Sequence, residues 1–220
     1  MAQLITWDDA GKRNYETGLD HGVLYVQNTT LGTYPEGVAW NGLTAVSEKP
    51  EGAEANAVYA DNMKYLNLIS AENYSFTLEA LYYPEEFEAC DGVAEAIAGL
   101  KVGQQTRKPF GFCYRTLLGN DAAGNSLGYK LHLTYGCIAS PSEKSYATVT
   151  DSPEAVPFSW EVTTTPVPIA GYLPSAQLVI DSTTVTPAKL TALEVILYGT
   201  SPSTKGRLPL PAEVITLLTP

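Results

Sequence analysis

The stretch YPEEFEACDG, Tyr83 to Gly92, sets Glu85, Glu86, Glu88 and Asp91 around the thiol of Cys90. Carboxylates and a thiol at that density are what an acid/base pair or a metal cage would use. A metal cage needs further His or thiolate partners, and the chain's 2 histidines, His21 and His132, fall in other elements. Pro84 suits the first turn of a short helix, where Glu85 and Glu86 meet the positive end of the helix dipole. That role alone accounts for them, and the segment reads as structural.

Other chemical motifs meet the same test. Gly124-Asn125-Ser126-Leu127-Gly128 matches the G-x-S-x-G pattern of a hydrolase nucleophile elbow. That mechanism needs a strand before the serine, a helix after it and a later histidine. Here a loop precedes, a strand follows, and His132 sits on that same strand. The run NDAAGN carries oxygen donors but lacks the bidentate Glu that closes a calcium loop. Cys113 and Cys137 fall on neighbouring predicted strands and read as small buried hydrophobes. His21, in LDHGV, reads as a turn residue, and no phosphate-binding glycine loop occurs. The abundant Tyr and Trp alternate with polar residues at strand spacing, which suits core and interface packing better than base stacking. The motifs point to no active site, no metal and no cofactor.

The elements that would position any site are mostly strands. In YSFTLEALYY (74–83), Tyr74, Phe76, Leu78, Ala80 and Tyr82 share one face and Ser75, Thr77 and Glu79 the other. YKLHLTYGC places Tyr129, Leu131, Leu133, Tyr135 and Cys137 inward and Lys130, His132 and Thr134 outward. FSWEVTTT sets Phe158, Trp160 and Val162 against Ser159, Glu161 and Thr163. FGFCYRTLL and YKLHLTYGC flank the turn-rich GNDAAGNSLG and predict a long β-hairpin. Further strands are expected near 22–27, 38–46, 64–70, 145–150 and 176–181.

One helix is expected in TTVTPAKLTALEVILYGT, with Thr186 as cap, Pro187 at its first position, a Val185–Leu190 staple, Leu190, Leu193 and Leu197 on one face, and Gly199 at its end. SEKPEGAEANA, about 47–57, has no apolar period and reads as an exposed loop or arm. After residue 200, Pro202, Pro209 and Pro211 interrupt regular structure, so 201–220 reads as a Pro-rich C-terminal extension of one β domain spanning 1–200.

Composition bounds the function classes. A chain of 220 residues buries roughly 70–75% of its unfolded surface, enough for a real core. The balance of 13 Lys and Arg against 24 Asp and Glu, net -11, opposes standing attraction to nucleic-acid phosphates or anionic lipid. An odd count of 3 cysteines without CxxC spacing fits synthesis in a reducing compartment. No secretory leader and no membrane-length apolar stretch are recognised, so the expectation is a soluble chain made in the cytoplasm.

The blocks WDDAGKRNYETGLDHGVLY, GVAWNGLTAVSEKPEGAEANAVYADNMKYLNL, GQQTRKPFGFCYRTLLGND, YKLHLTYGC and SPSEKSYATVTDSPEAVPFSWEVTTTPV, in that order, resemble the major tail proteins of long-tailed, non-contractile bacteriophages. The resemblance runs from about Trp7 to Thr200. It implies a mainly β tail-tube fold, a β-sandwich or β-barrel with one or two short flanking α-helices. It also implies hexameric rings of the chain stacked into a hollow tube in the virion tail. The implied partners are further copies, the tape-measure protein, tail-tip and tail-terminator proteins, and double-stranded DNA in passage; no membrane is implied.

If one sheet face lines such a channel, the wet face bearing Glu79, Glu161 and Thr163 is the candidate, since a negative wall repels phosphates instead of holding them. Lys130, Arg115 and His132 would then need carboxylate partners across strands. Ser47, Glu48, Glu51 and Glu54 of the arm are the candidates for contact between rings. Two other classes stay open on sequence alone: a monomeric carbohydrate-binding β-sandwich of a phage or bacterial surface, and a hydrolase built on Ser126.

Overall fold

A computed structural model describes residues 4–146, 148, 155–200 and 204–219. The strands in chain order are β1 (Asn14–Val26), β2 (Gly37–Ala39), β3 (Leu43–Glu48), β4 (Glu51–Gly52), β5 (Ala55–Ala60), β6 (Met63–Ile69), β7 (Glu72–Asn73) and β8 (Ser75–Ala80). There follow β9 (Ala94–Ile97), β10 (Leu100–Val102), β11 (Phe110–Asn120), β12 (Gly124–Ala139), β13 (Phe158–Thr164) and β14 (Gln177–Asp181). Helix α1 (Pro187–Tyr198), the short strands β15 (Gly199–Thr200) and β16 (Thr204–Lys205), and helix α2 (Pro211–Leu218) complete the chain. The protein is mainly β, with a large antiparallel sheet and two short helices, as the sequence pattern predicts.

The large sheet runs β2-β1-β11-β12-β13-β8-β3, with β14 pairing the middle of the long β12. Its centre is the expected hairpin of β11 and β12, turned at 121–123, where Asn120 Oδ1 accepts from the amides of Ala122 and Ala123. β12 changes partner along its length, from β14 at Lys130–Thr134 to β13 at Cys137–Ala139. The change happens at Gly136, whose φ of +60° marks a bulge where the β11–β12 register also slips. A Cβ there would lie 2.4 Å from the carbonyl oxygen of Thr165.

The sheet bends so that β13, β8 and β3 form an outer wall over a central wall of β1, β11 and β12. Between the walls lies a core of Leu24, Trp40, Phe76, Leu78, Phe87, Phe110, Phe112, Trp160 and Val162. Trp40, Phe87 and Trp160 meet at ring distances of 4.6 to 5.9 Å, in the tilted and edge-on arrangements that aromatic quadrupoles favour. Behind the central wall lies a second core, where Val23, Tyr25, Leu131, Leu133 and Tyr135 receive Leu190, Leu193 and Leu197 of α1 and Val214 of α2. Tyr25 donates to the Leu197 carbonyl at 2.8 Å and Tyr135 to the Pro209 carbonyl at 3.0 Å, so each buried hydroxyl is satisfied where it docks a helical segment.

Three expectations are corrected. The face of β12 read as wet is buried at His132 and Thr134, because this part of the sheet is covered on both sides. The segment at 38–46 is two strands, β2 and β3, parted by a turn at Trp40–Gly42. The C-terminal residues read as irregular hold helix α2: Pro211 occupies its first turn, where a missing amide costs nothing, and Arg207 pairs with Glu213. The expected helix α1 is present with Pro187 and Gly199 in place, although the Thr186 side chain makes no capping bond. The segment after Pro84 is a 3-10 turn, Glu85–Ala89. The strand expected at 145–150 falls largely outside the described residues.

Candidate functional site

Two features of the outer wall stand out, a projecting ribbon and a polar face. Strands β3 and β8 do not stop at the edge of the sheet. Lys49 N donates to Ser75 O at 2.7 Å, β4 pairs β7, and β5 pairs β6, so one two-stranded ribbon leaves the body between Lys49 and Asn73. It turns at Asp61-Asn62, both with φ near +55° to +60°, the conformation a two-residue hairpin turn requires. Fully extended, the twelve residues from Lys49 to Ala60 would span at most roughly 40 Å, and the positive φ of Gly52 and Ala53 interrupts that extension.

The arm expected at 47–57 as a loop is therefore a hairpin, with the strand read at 64–70 as its returning limb. Ser47 and Glu48 belong to β3 in the main sheet, Glu51 to β4, and Glu54 lies at the start of the free ribbon. The candidates with the most apolar surface are ones the sequence reading passed over: Tyr59, Met63, Tyr65, Leu66, Leu68 and Ile69, of which Tyr59 and Ile69 are each 71% exposed. Asp61 and Lys64 are the charged residues between 55 and 69. The available signal was Asp61-Asn62 between two strand-like runs, which is hairpin chemistry. A second, shorter hairpin, β9 with β10, exposes Ile97, Leu100 and Val102 in the same way.

Glu79, Glu161 and Thr163 come together on the outward face of the outer wall. The register sets Ser159 opposite Glu79, Glu161 opposite Thr77 and Thr163 opposite Ser75, on the face away from the aromatic core, although Thr77, read as wet from the sequence, is buried there. Lys49, at the arm's root, lies 3.5 Å from Glu161. An open cleft of about 350 Å³ between root and face is lined by Lys49, Glu51, Tyr74, Thr77, Glu161 and Thr163.

Of the three basic groups that complicated a negative wall, Arg115 and Lys130 are ion-paired elsewhere, and His132 packs between two carboxylates. Arg115 makes a two-pronged bond to Asp20 at 2.7 and 2.8 Å, and those bonds hold the Asp20 carboxyl below its usual range. Lys130 donates to Glu16 at 2.5 Å. Burial pushes the Glu16 carboxyl up, but the Lys130 and Thr116 hydrogen bonds and the Lys130 charge outweigh it and hold Glu16 below the ordinary value. His132 is stacked flat on Tyr114, with ring centroids 4.5 Å apart, and Glu16 and Glu48 each lie 3.7 Å from a ring nitrogen. Burial lowers its pKa, while the two carboxylates act in the opposite direction.

The motifs from the sequence resolve into structural parts. Asp91 is a buried anchor that accepts from Lys144 at 2.6 Å and Arg107 at 3.2 Å. Phe87 enters the core, and Lys101 pairs with Glu88 and Glu85. Among the described residues no group of three or more His, Cys, Asp or Glu is placed to hold a metal ion. Ser126 sits on the exposed start of β12, and His132 lies six residues further along the strand, roughly 20 Å away. Asp121, in the NDAAGN run that lacked a closing Glu, accepts from the amides of Gly11 and Arg13 and ties down the N-terminal segment. Cys113 and Cys137 lie in different cores, on opposite faces of the sheet, and burial raises both thiols to about 12. His21 sits in a left-handed bulge of β1, φ +52°, beside Asp20. No described helix is long and apolar enough to cross a membrane.

No family model matches the sequence, and no curated protein matches it. Among solved structures, the chain is similar to the tube-terminating cap of the anti-feeding prophage, at 13% identity and a TM-score of 0.39, covering 82% of this chain and 100% of that one. It is also similar to a chain of the PVC sheath-tube complex, an extracellular contractile injection system in its extended state, at 12% identity and a TM-score of 0.33, covering 76% of this chain and 93% of that one. Likenesses this distant carry no weight in the functional argument.

Proposed function

We propose that this chain is a structural subunit of a bacteriophage tail, not an enzyme, and that it self-assembles into hexameric rings stacked as the tail tube. The observation that carries the reading is the arm: a ribbon whose apolar side chains stand in water and whose strand partners, among the described residues, are its own two limbs. Exposed apolar area on that scale marks a surface made for a partner, and a lone two-stranded ribbon is marginal in water. A further copy of the chain is the partner that a repeating assembly supplies. The ordered sequence blocks resembling tail-tube proteins support the same reading independently.

In such a tube the arm joins one ring to the next, and the face of Glu79, Glu161 and Thr163 lines the bore. The net charge of -11 keeps that wall from gripping DNA phosphates during passage. The tape-measure protein fills the bore during assembly, tail-tip and tail-terminator proteins close the ends, and the product resides in the virion tail.

Electron microscopy of the purified chain tests the proposal. Rings or tubes are expected from the full-length chain. Replacing residues 53–71 by a two-residue turn is expected to leave a folded subunit that makes none. Dispersed monomers from the full-length chain at high concentration, or normal tubes from the shortened one, refute it.

A further inference from the structure

Where the arm meets the body, one buried nitrogen has no partner. His132 Nε2 lies 3.0 Å from Thr116 Oγ1, and the Thr116 hydroxyl gives its single proton to Glu16 Oε1 at 2.5 Å. Thr116 can therefore only accept from the ring, so neutral His132 carries its proton on Nε2. Its Nδ1 is left as a bare lone pair, sealed from solvent and without a hydrogen bond. The group it faces is Glu48 Oε1, 3.7 Å away.

In the closed geometry a proton on Nδ1 makes no hydrogen bond, and the attraction of the Glu48 charge at 3.7 Å offsets only part of the burial cost of a charged ring. Glu48 Oε1 already accepts from the Tyr114 hydroxyl at 2.8 Å and from Gln177 Nε2 at 2.6 Å, which uses both lone pairs of that oxygen. The gap is also longer than a hydrogen bond. The other titratable and charged groups around the ring are Glu16 from β1, the stacked Tyr114 from β11 and Lys130 from β12 itself; Tyr74 bonds Gln177 one step away. Of the elements closing the pocket, β3 is the one cheapest to move. It is an edge strand whose backbone ladder, among the described residues, is with β8 alone, and its last residue, Glu48, leads directly into the arm.

We propose that His132 is a proton-operated latch on the arm: a charged ring favours an opened state in which β3 has shifted at the arm's root and solvent reaches the imidazole, so acid loosens the arm's root. Burial, acting first, holds the folded ring's pKa below the ordinary 6.5, and Glu48 and Glu16 recover only part of that shift. A histidine lowered in the folded state contributes stability that is complete above about pH 6.5 and is lost as pH falls from there toward the folded value. The Lys130 and Thr116 hydrogen bonds hold Glu16 below its ordinary value, so Glu16 stays ionised while the histidine titrates. The latch belongs to the single subunit, so its test is separate from any test of assembly.

The experiment is hydrogen exchange on the unassembled full-length chain at pH 7.5, 6.5 and 5.5, with protection corrected for the intrinsic rate. In segments 43–48 and 75–80, protection is expected to fall by up to about tenfold per pH unit below 6.5. His132→Phe keeps a flat ring against Tyr114 without the titration and should make that protection independent of pH. Wild-type protection that is constant or rises with acid overturns the proposal, and so does an acid-dependent fall that survives in His132→Phe. Should the variant not fold, NMR of the wild-type chain decides: a His132 midpoint below the ordinary 6.5 with the 43–48 amide signals changing over the same pH range supports the latch, and a midpoint at or above 6.5, or 43–48 signals that do not follow it, overturns it.

Discussion

Leu68 offers a sharp test of the arm. It lies on the returning limb, 58% exposed, opposite the uncharged Asn56. Replacing it with Asp costs the subunit little, because the new carboxylate stays in water and meets no like charge across the strand. Surface changes of that kind stay within about 0.5 kcal/mol, which for a domain of this size moves the melting temperature by less than roughly 2 °C. At an interface the balance reverses. Burying the exposed half of a leucine is worth about 1–1.5 kcal/mol, and desolvating an unpaired carboxylate costs about 2 kcal/mol more. The joint weakens by about 3 kcal/mol, a rise of more than a hundredfold in the concentration needed to assemble. Sedimentation across a concentration series, with negative-stain imaging of the pellets and a melting curve of the supernatant, reads both quantities. Leu68→Met, which keeps the volume and loses the branching, should assemble near the wild-type concentration. Tubes from Leu68→Asp at the wild-type threshold would show that the arm is not the joint, whatever its exposure.

Two further outcomes follow from the body of the subunit. Asp91→Ala strands Arg107 and Lys144 beside each other, with Lys144 held over the rings of Tyr83 and Trp160, and should cost about 3 kcal/mol in urea unfolding at neutral pH; a loss below 1 kcal/mol would mean that solvent reaches the two cations. Cys90, Cys113 and Cys137 are all buried, with thiols raised to about 12, so a thiol reagent should leave all three unmodified in the native chain and label them together after denaturation; a disulfide between Cys113 and Cys137 under oxidant would contradict their placement on opposite faces.

Much of the fold was legible where one physical rule acted alone. Alternation placed Phe76, Leu78, Trp160 and Val162 inward and Glu79, Glu161 and Thr163 outward, because β8 and β13 have a core on one face and, except at the buried Thr77, water on the other. The same rule misplaced His132 and Thr134, since a period of two cannot tell water from a second buried layer. It also put Cys137 on the face of Leu133 and Tyr135. The bulge at Gly136 moves it to the other side, as any one-residue slip must. In the C-terminal segment the prolines were read as breakers, yet Pro211 starts α2, a position where proline is favoured. The arm was seen by its lack of core pattern, but its limits were wrong: Glu48 belongs to the sheet by its pairing with Phe76, and strands that bury nothing leave no apolar period from which to read an end.

Placing the arm and the polar face on one pair of strands has a mechanical consequence. β8 carries Glu79 at one end and runs through Asn73 and Glu72 into the returning limb of the arm, while β3 carries the outgoing limb from Glu48. Strands are stiff along their length, and these two are hydrogen-bonded to each other from body to root. A neighbour that seizes the tip therefore fixes the orientation of the face with it. The opposite layer is bound differently: α1 and α2 are held to the central wall by apolar contacts and by the Tyr25 and Tyr135 hydroxyls, with no direct strand link to the arm. Tension or twist applied at the tip is thus delivered to the outer wall first, and the point where it enters the sheet is Glu48, between the Tyr114 hydroxyl that holds it and the His132 nitrogen that faces it.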